Sequence, residues 1–172
     1  MRITTTRTWL RAGRDASKAR MKLGWIWRSL AAGLCGSAAH TLLMLFKTQS
    51  GLLPGFQPYD ALQRTLSQFA GADIHPLLPW ALSFLNGAVL MGLVFGRIYP
   101  WLPSENGATK GFVFGVAGWL VMGLVFFPLI GLGVFGAGTA DGFAPALFSL
   151  AMLLAYSLVT GIAYAWLRGE KR

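Results

Sequence analysis

Four stretches of this chain, Trp27 to Phe46, Leu77 to Tyr99, Gly111 to Phe135 and Phe143 to Leu167, are long and apolar enough to cross a bilayer, which takes roughly 20 residues. No other feature constrains the fold as much. In lipid the backbone must satisfy its own hydrogen bonds, so segments of this kind become helices. Composition agrees: 55% of the residues are hydrophobic and 12% are charged, against about 45–50% and about 25% in a soluble domain. What remains outside the spans is too little for a separate soluble domain. The expectation is an all-α integral membrane four-helix bundle. A basic, disordered tail occupies residues 1–26, the spans fall near 27–46, 77–99, 111–135 and 143–167, and a second tail occupies 168–172.

The net charge of +9 is unevenly spread. With four spans, the N-terminal tail, the loop Pro100 to Lys110 and the C-terminus share one side. Counting Arg97, that side holds thirteen of the fifteen Lys and Arg, and only Lys47 and Arg64 lie opposite. This asymmetry predicts that both termini are cytoplasmic. It also accounts for the basic charge without nucleic acid as a partner. Trp25, Trp27, Tyr99, Trp101, Tyr164 and Trp166 gather at the same expected interface, where aromatic side chains anchor spans.

The Arg-rich, acid-poor first twenty residues have the composition of a transit peptide, and Met21 is an alternative start. Small residues Ser37, Ala38 and Ala39 also offer a cleavage-like site, but the apolar run continues to Phe46, so an uncleaved span is the preferred reading. Cys35 is the single cysteine, which excludes a disulfide framework and a thiolate metal cluster.

In the middle loop, Leu62, Leu66 and Phe69 recur at helical spacing among polar residues. Pro58 suits the start of such a helix and Gly71 its end. A short amphipathic helix is expected there, flat on the outer leaflet or folded back as a lid. Pro128 and the glycine-rich run that follows it predict a kink in the third span and irregular backbone packed against protein.

Each span carries a stripe of small residues: Ala32 and Gly36; Ala88, Gly92 and Gly96; Gly111, Gly115 and Gly118; Ser157, Gly161 and Ala165. Small residues let helix backbones approach closely where lipid removes the hydrophobic drive to pair. Gly107 ends the loop ahead of the third stripe. The partner helix can belong to this chain, to a second copy or to another membrane protein.

His40 is the ionisable residue nearest the middle of a span, and it continues the Ala32 and Gly36 stripe. Helical rise places His40 and Asn86 roughly 10 and 14 Å below the outer ends of their helices, where they could meet. Ser83 and Ser149 fall in the same outer half, completing a candidate polar cluster. The preferred reading is a neutral His40 hydrogen-bonded to Asn86, fastening two helices. The alternative is a cofactor or proton-relay role for His40, for which carboxylate and thiolate partners are lacking. Asp73 and His75 read as a solvated loop, and Trp119 and Tyr156 as packing aromatics with polar tips. No cofactor, metal site or catalytic set is expected.

The succession WLP, KGFVFGVAGWL, FFPLIGLGVF and YSLVTGIAY resembles small uncharacterised four-span bacterial inner-membrane proteins, including the YagU-like group. The resemblance covers roughly residues 30 to 167. It implies a location and a fold, with no activity attached. Related families often show histidine where this chain has Ser83 and Leu153, which removes support for a haem or metal role. Three function classes follow: a non-enzymatic assembly or interaction component, a small oligomeric transporter or channel, and a membrane enzyme.

Reporter fusions test the topology. Fusions at Arg172 and within Glu105 to Gly107 should report the cytoplasm and a fusion at Gln57 the opposite side. A C-terminus on the Gln57 side would contradict four spans.

Overall fold

The computed structural model describes the backbone of residues 5–170 and the side chains of residues 24–170. The expectation of a disordered basic tail over residues 1–26 falls almost wholly outside the residues described in full. Five helices make the structure: α1 (Thr5–Ser50), α2 (Pro58–Ala70), α3 (Leu77–Trp101), α4 (Gly107–Leu129) and α5 (Ala144–Arg168). No strand occurs among the described residues. Four helical stretches are long and apolar enough to cross a membrane: Gly24–Ser50 of α1, and all of α3, α4 and α5.

Local chemistry sets the ends. At the start of α4 the Asn106 side chain accepts a hydrogen bond from the Ala108 amide at 2.8 Å, satisfying one of the free N–H groups of a first turn. Pro58 opens α2, where a missing amide proton costs nothing, and Gly71 closes it in the left-handed conformation at φ 63°. α3 tightens into a 3-10 turn at Tyr99–Trp101 and stops, as Pro100 and Pro103 require. The third span ends at Leu129, short of the expected Phe135. Pro128 leaves a carbonyl one turn earlier without its donor, and Gly131 and Gly133 follow with positive φ.

In cross-section α5 packs against α4 on one side and α1 on the other, and α1 packs against α3. Side chains could not fit between some of these backbones. A methyl group built on Gly33 of α1 would lie 2.5 Å from the carbonyl oxygen of Ala88 in α3, and one on Gly92 would lie 2.7 Å from that of Ser29. On the other side, one on Gly107 would lie 2.5 Å from the Gly161 carbonyl oxygen, and one on Gly111 would strike Ser157. Gly36 faces Tyr156 and Thr160 of α5, Gly96 faces Ser29 of α1, and Gly115 faces Ser157. Gly118 differs from these expected contact glycines. Its nearest neighbour would be the movable Leu153 Cδ2 at 3.4 Å, an ordinary contact. α3 and α4 meet through Phe95 and Phe114, whose ring centroids are 5.1 Å apart. The outward faces remain apolar, with Leu34, Leu42, Leu90, Val121, Leu124 and Ile162 all exposed. Water penalises such a surface and hydrocarbon does not.

Two π-helical turns interrupt the spans, Asn86–Met91 in α3 and Met122–Phe126 in α4. Each widens its helix locally and shifts the 3.6-residue count of the stripe beyond it. After α4 the chain runs irregularly through residues 130–143 and folds back. The Phe135 ring occupies the space a side chain on Gly123 would need, and stacks on Trp119 with centroids 4.6 Å apart. On the same side, α2 folds over the bundle. Tyr59 and Trp80 rings lie 4.3 Å apart, Ala61 is buried, and Leu62 and Leu66 are half-buried, whereas Phe69 is 87% exposed. The lid alternative therefore describes α2, with Phe69 outside its apolar stripe. Phe56, Ala61, Phe127, Ile130 and Leu132 form one core cluster where this cap meets α4, and Ala32, Phe95, Tyr99 and Tyr164 form another at the opposite, basic end.

Replacing Gly33 or Gly161 by Leu should lower stability in detergent by about 1–3 kcal/mol or more, since a rigid backbone stands in the way. Gly118→Ala should be nearly neutral. Thermal unfolding of the three variants checks the contrast, and equal losses would refute the backbone-contact account.

Candidate functional site

The polar residues predicted to cluster around His40 are placed in three different settings. His40 is half-buried on α1, facing the Met152 backbone on α5. Asn86 is exposed on the surface of α3 and makes no hydrogen bond to His40. The expected His40 to Asn86 fastener is therefore not formed. The physical reason is that helical rise set only a depth for Asn86 and left its facing open, and the residues of α3 that lie against α1 are Ala88 and Gly92. Ser83 accepts a hydrogen bond from the Tyr59 hydroxyl at 3.1 Å and so joins α3 to the lid helix. Burial pushes the Tyr59 phenol above its ordinary value, with the Ser83 bond acting in the opposite sense, and the group stays neutral across physiological pH. Ser149 is buried, donates to the Ala146 carbonyl at 3.0 Å and accepts from Trp119 Nε1 at 3.2 Å.

The helix-to-helix fasteners are different residues. Tyr156 of α5 donates its hydroxyl to the Gly87 carbonyl at 2.7 Å, reaching into the π-helical turn of α3. Ser37 of α1 donates to the Phe84 carbonyl at 3.2 Å. Trp119 Nε1 donates to the Ala146 carbonyl at 3.0 Å, which ties α4 to the first turn of α5. Thr160 and Ser157 are also buried, but they donate to carbonyls one turn back in their own helix. These interior hydroxyls are satisfied without a ligand.

The two lysines buried among the described residues hold the ends. Lys47 closes α1 at 0% exposure, its ammonium donating to the Phe56 carbonyl at 2.5 Å and to Gln57 Oε1 at 3.1 Å. Asp141 and Asp60 lie within electrostatic range of it. At the opposite end Lys110 donates to the Tyr99 carbonyl at 3.0 Å and sits 4.1 Å above the Tyr99 ring. The Tyr99 hydroxyl donates to Glu170 at 2.5 Å, and Glu170 pairs with Arg168 at 2.8 Å. Sequence reasoning used both lysines only as topology markers. A signal for Lys47 was present, since seven residues separate it from His40 and two helical turns return it to the same inward stripe. Among the described residues, no three His, Cys, Asp or Glu side chains gather to hold a metal ion.

Comparison with known families bears on the whole of this arrangement. Residues 23–172 match the family described as "Family of unknown function (DUF6789)". The chain belongs to that family. No curated protein and no solved structure matches it. The matched region takes in all four membrane-length helices, the outer cap and both buried lysines, so the family is defined on the bundle itself.

Two substitutions separate fastening from chemistry. Tyr156→Phe should cost about 1 kcal/mol by removing an interhelical hydrogen bond. His40→Gln should leave stability nearly unchanged, because no fastening bond to Asn86 exists to lose. Denaturation of the purified variants in detergent checks both.

Proposed function

We propose that this protein is a non-enzymatic component of the bacterial inner membrane, with both termini cytoplasmic and a kinship to the YagU-like group. It acts through contacts with a second copy or with another membrane protein. The observation that carries this reading is how the interior is closed. Backbones touch along α1 with α3 and along α4 with α5, and the fastening hydroxyls donate to carbonyls of the bundle itself. Such an interior has its polar groups committed to structure, which leaves the outer cap, the basic end and the apolar flanks as the surfaces available for recognition.

A second reading, a small oligomeric transporter or channel, draws support from a specific feature. Interrupted helices with irregular backbone beside a buried charge are common in transporters, and α4, residues 130–143 and Lys47 present that combination. The third, a cofactor held by His40, has only Met152 backbone beside the imidazole to support it.

Mild extraction followed by mass-resolved sizing distinguishes these. The interaction reading expects a defined oligomer or a stoichiometric partner, and no solute flux after reconstitution. Solute flux in liposomes would overturn it in favour of transport, and a haem absorbance band lost in His40→Gln would overturn it in favour of the cofactor.

A further inference from the structure

The cap has two segments outside the five long helices, residues 51–57 and 130–143, the second with a 3-10 turn at Val134–Gly136, and both come to the end of α1. Lys47 uses two of its three N–H donors on the first segment, at Phe56 and Gln57. The second segment carries Asp141, whose Oδ2 is buried and has no hydrogen-bond partner among the described residues. That oxygen packs against the backbone of the first segment: a methyl built on Gly55 would lie 2.9 Å from it. The carboxylate and the Lys47 ammonium attract each other across this contact without forming a direct ion pair. Asp60, exposed on α2, is the other charged group facing Lys47.

Strain marks the same two segments. Leu53 in the first and Phe135 in the second adopt left-handed backbone, at φ 51° and φ 53°. Non-glycine residues hold that conformation only where their surroundings enforce it. Leu53 packs on the cluster under the cap, and Phe135 is pinned between Gly123 and Trp119. Closure of the cap and the strained backbone therefore persist together.

We propose that α2 and the two segments form a cap that opens as one unit, and that Lys47 facing Asp141 is its latch. A carboxylate oxygen buried without a hydrogen-bond donor is tolerated while an opposite charge stands near it, and becomes a reason to open once that charge is gone. Opening releases the backbone at Leu53 and Phe135 and separates Phe127 of α4 from the cap's own inner face, Phe56, Ala61, Ile130 and Leu132. The latch goes beyond the interaction reading and does not depend on it. The latch itself is measured without a partner, so its failure and the failure of that reading are separate results.

The test uses the full chain in detergent, with Cys35→Ser and a reporter Ala61→Cys on the inner face of the cap. The rate of reaction with a soluble maleimide is the readout. Lys47→Met should raise the rate at least about tenfold by leaving Asp141 uncompensated, and adding Asp141→Asn should reverse most of that rise. A double variant as reactive as Lys47→Met would overturn the proposal, since Lys47 would then act only through its bonds to Phe56 and Gln57. A reporter Ala32→Cys in the opposite core cluster should stay slow in every variant. If it speeds up in step, the bundle unfolds as a whole and no separate cap exists. If Lys47→Met does not accumulate, accumulation becomes the readout: recovery on adding Asp141→Asn supports the latch, and failure to recover overturns it.

Discussion

Hydrocarbon offers no hydrogen bonds, so wherever a helix in lipid is bent, widened or broken, its freed carbonyls need a donor from the protein. The bundle meets that demand with long side chains reaching across from a neighbouring element. Tyr156 reaches the widened turn of α3 at Gly87. Lys47 reaches Phe56 in the loop beyond α1, and Lys110 reaches Tyr99 where α3 tightens. Each donor joins two elements as well as satisfying a carbonyl. The irregularities of the helices are thus also the points at which the bundle is fastened.

Between these points, attraction depends on proximity. Dispersion between backbones becomes appreciable only at contact distance, and glycine or serine at Gly33, Gly92, Gly111, Ser157 and Gly161 permits contact. α1 and α5 serve as the inner pair, each with two packed neighbours, while α3 and α4 lie outside them and meet through Phe95 and Phe114. The aromatic joint lies at the basic end, where Tyr99, Tyr164 and Lys110 also converge.

Much of this was legible in residues 24–170. Span number follows from length and hydropathy, the lid helix from Pro58, its apolar period and Gly71, and the break in α4 from Pro128. Facing was harder to read. Asn86 was matched to His40 by depth alone, and depth does not record facing: Asn86 lies exposed on α3 while Ala88 and Gly92 face α1. Gly33 escaped notice because the period was anchored on Ala32 and Gly36, although Gly33 is the residue against Ala88 and Gly92. The inward facing of Lys47 was legible from its spacing to His40, but the carbonyls that Lys47 and Lys110 reach, at Phe56 and Tyr99, are set by tertiary packing and no local pattern encodes them.

The π-helical turn in α3 divides that helix into halves that answer to different neighbours. Above it, Ser83 and Phe84 engage Tyr59 and Ser37. Below it, Gly92 and Gly96 lie against Ser29 and Gly33. One residue corresponds to about 100° of rotation in an α-helix, so the turn acts as a phase shifter between two otherwise incompatible registers. Shortening Asn86–Met91 by a single residue would leave the apolar length almost unchanged while rotating the lower half away from α1. The span would still suit a bilayer, yet its glycines would face the wrong helix. In this bundle the number of residues inside a helix carries information that hydropathy does not record.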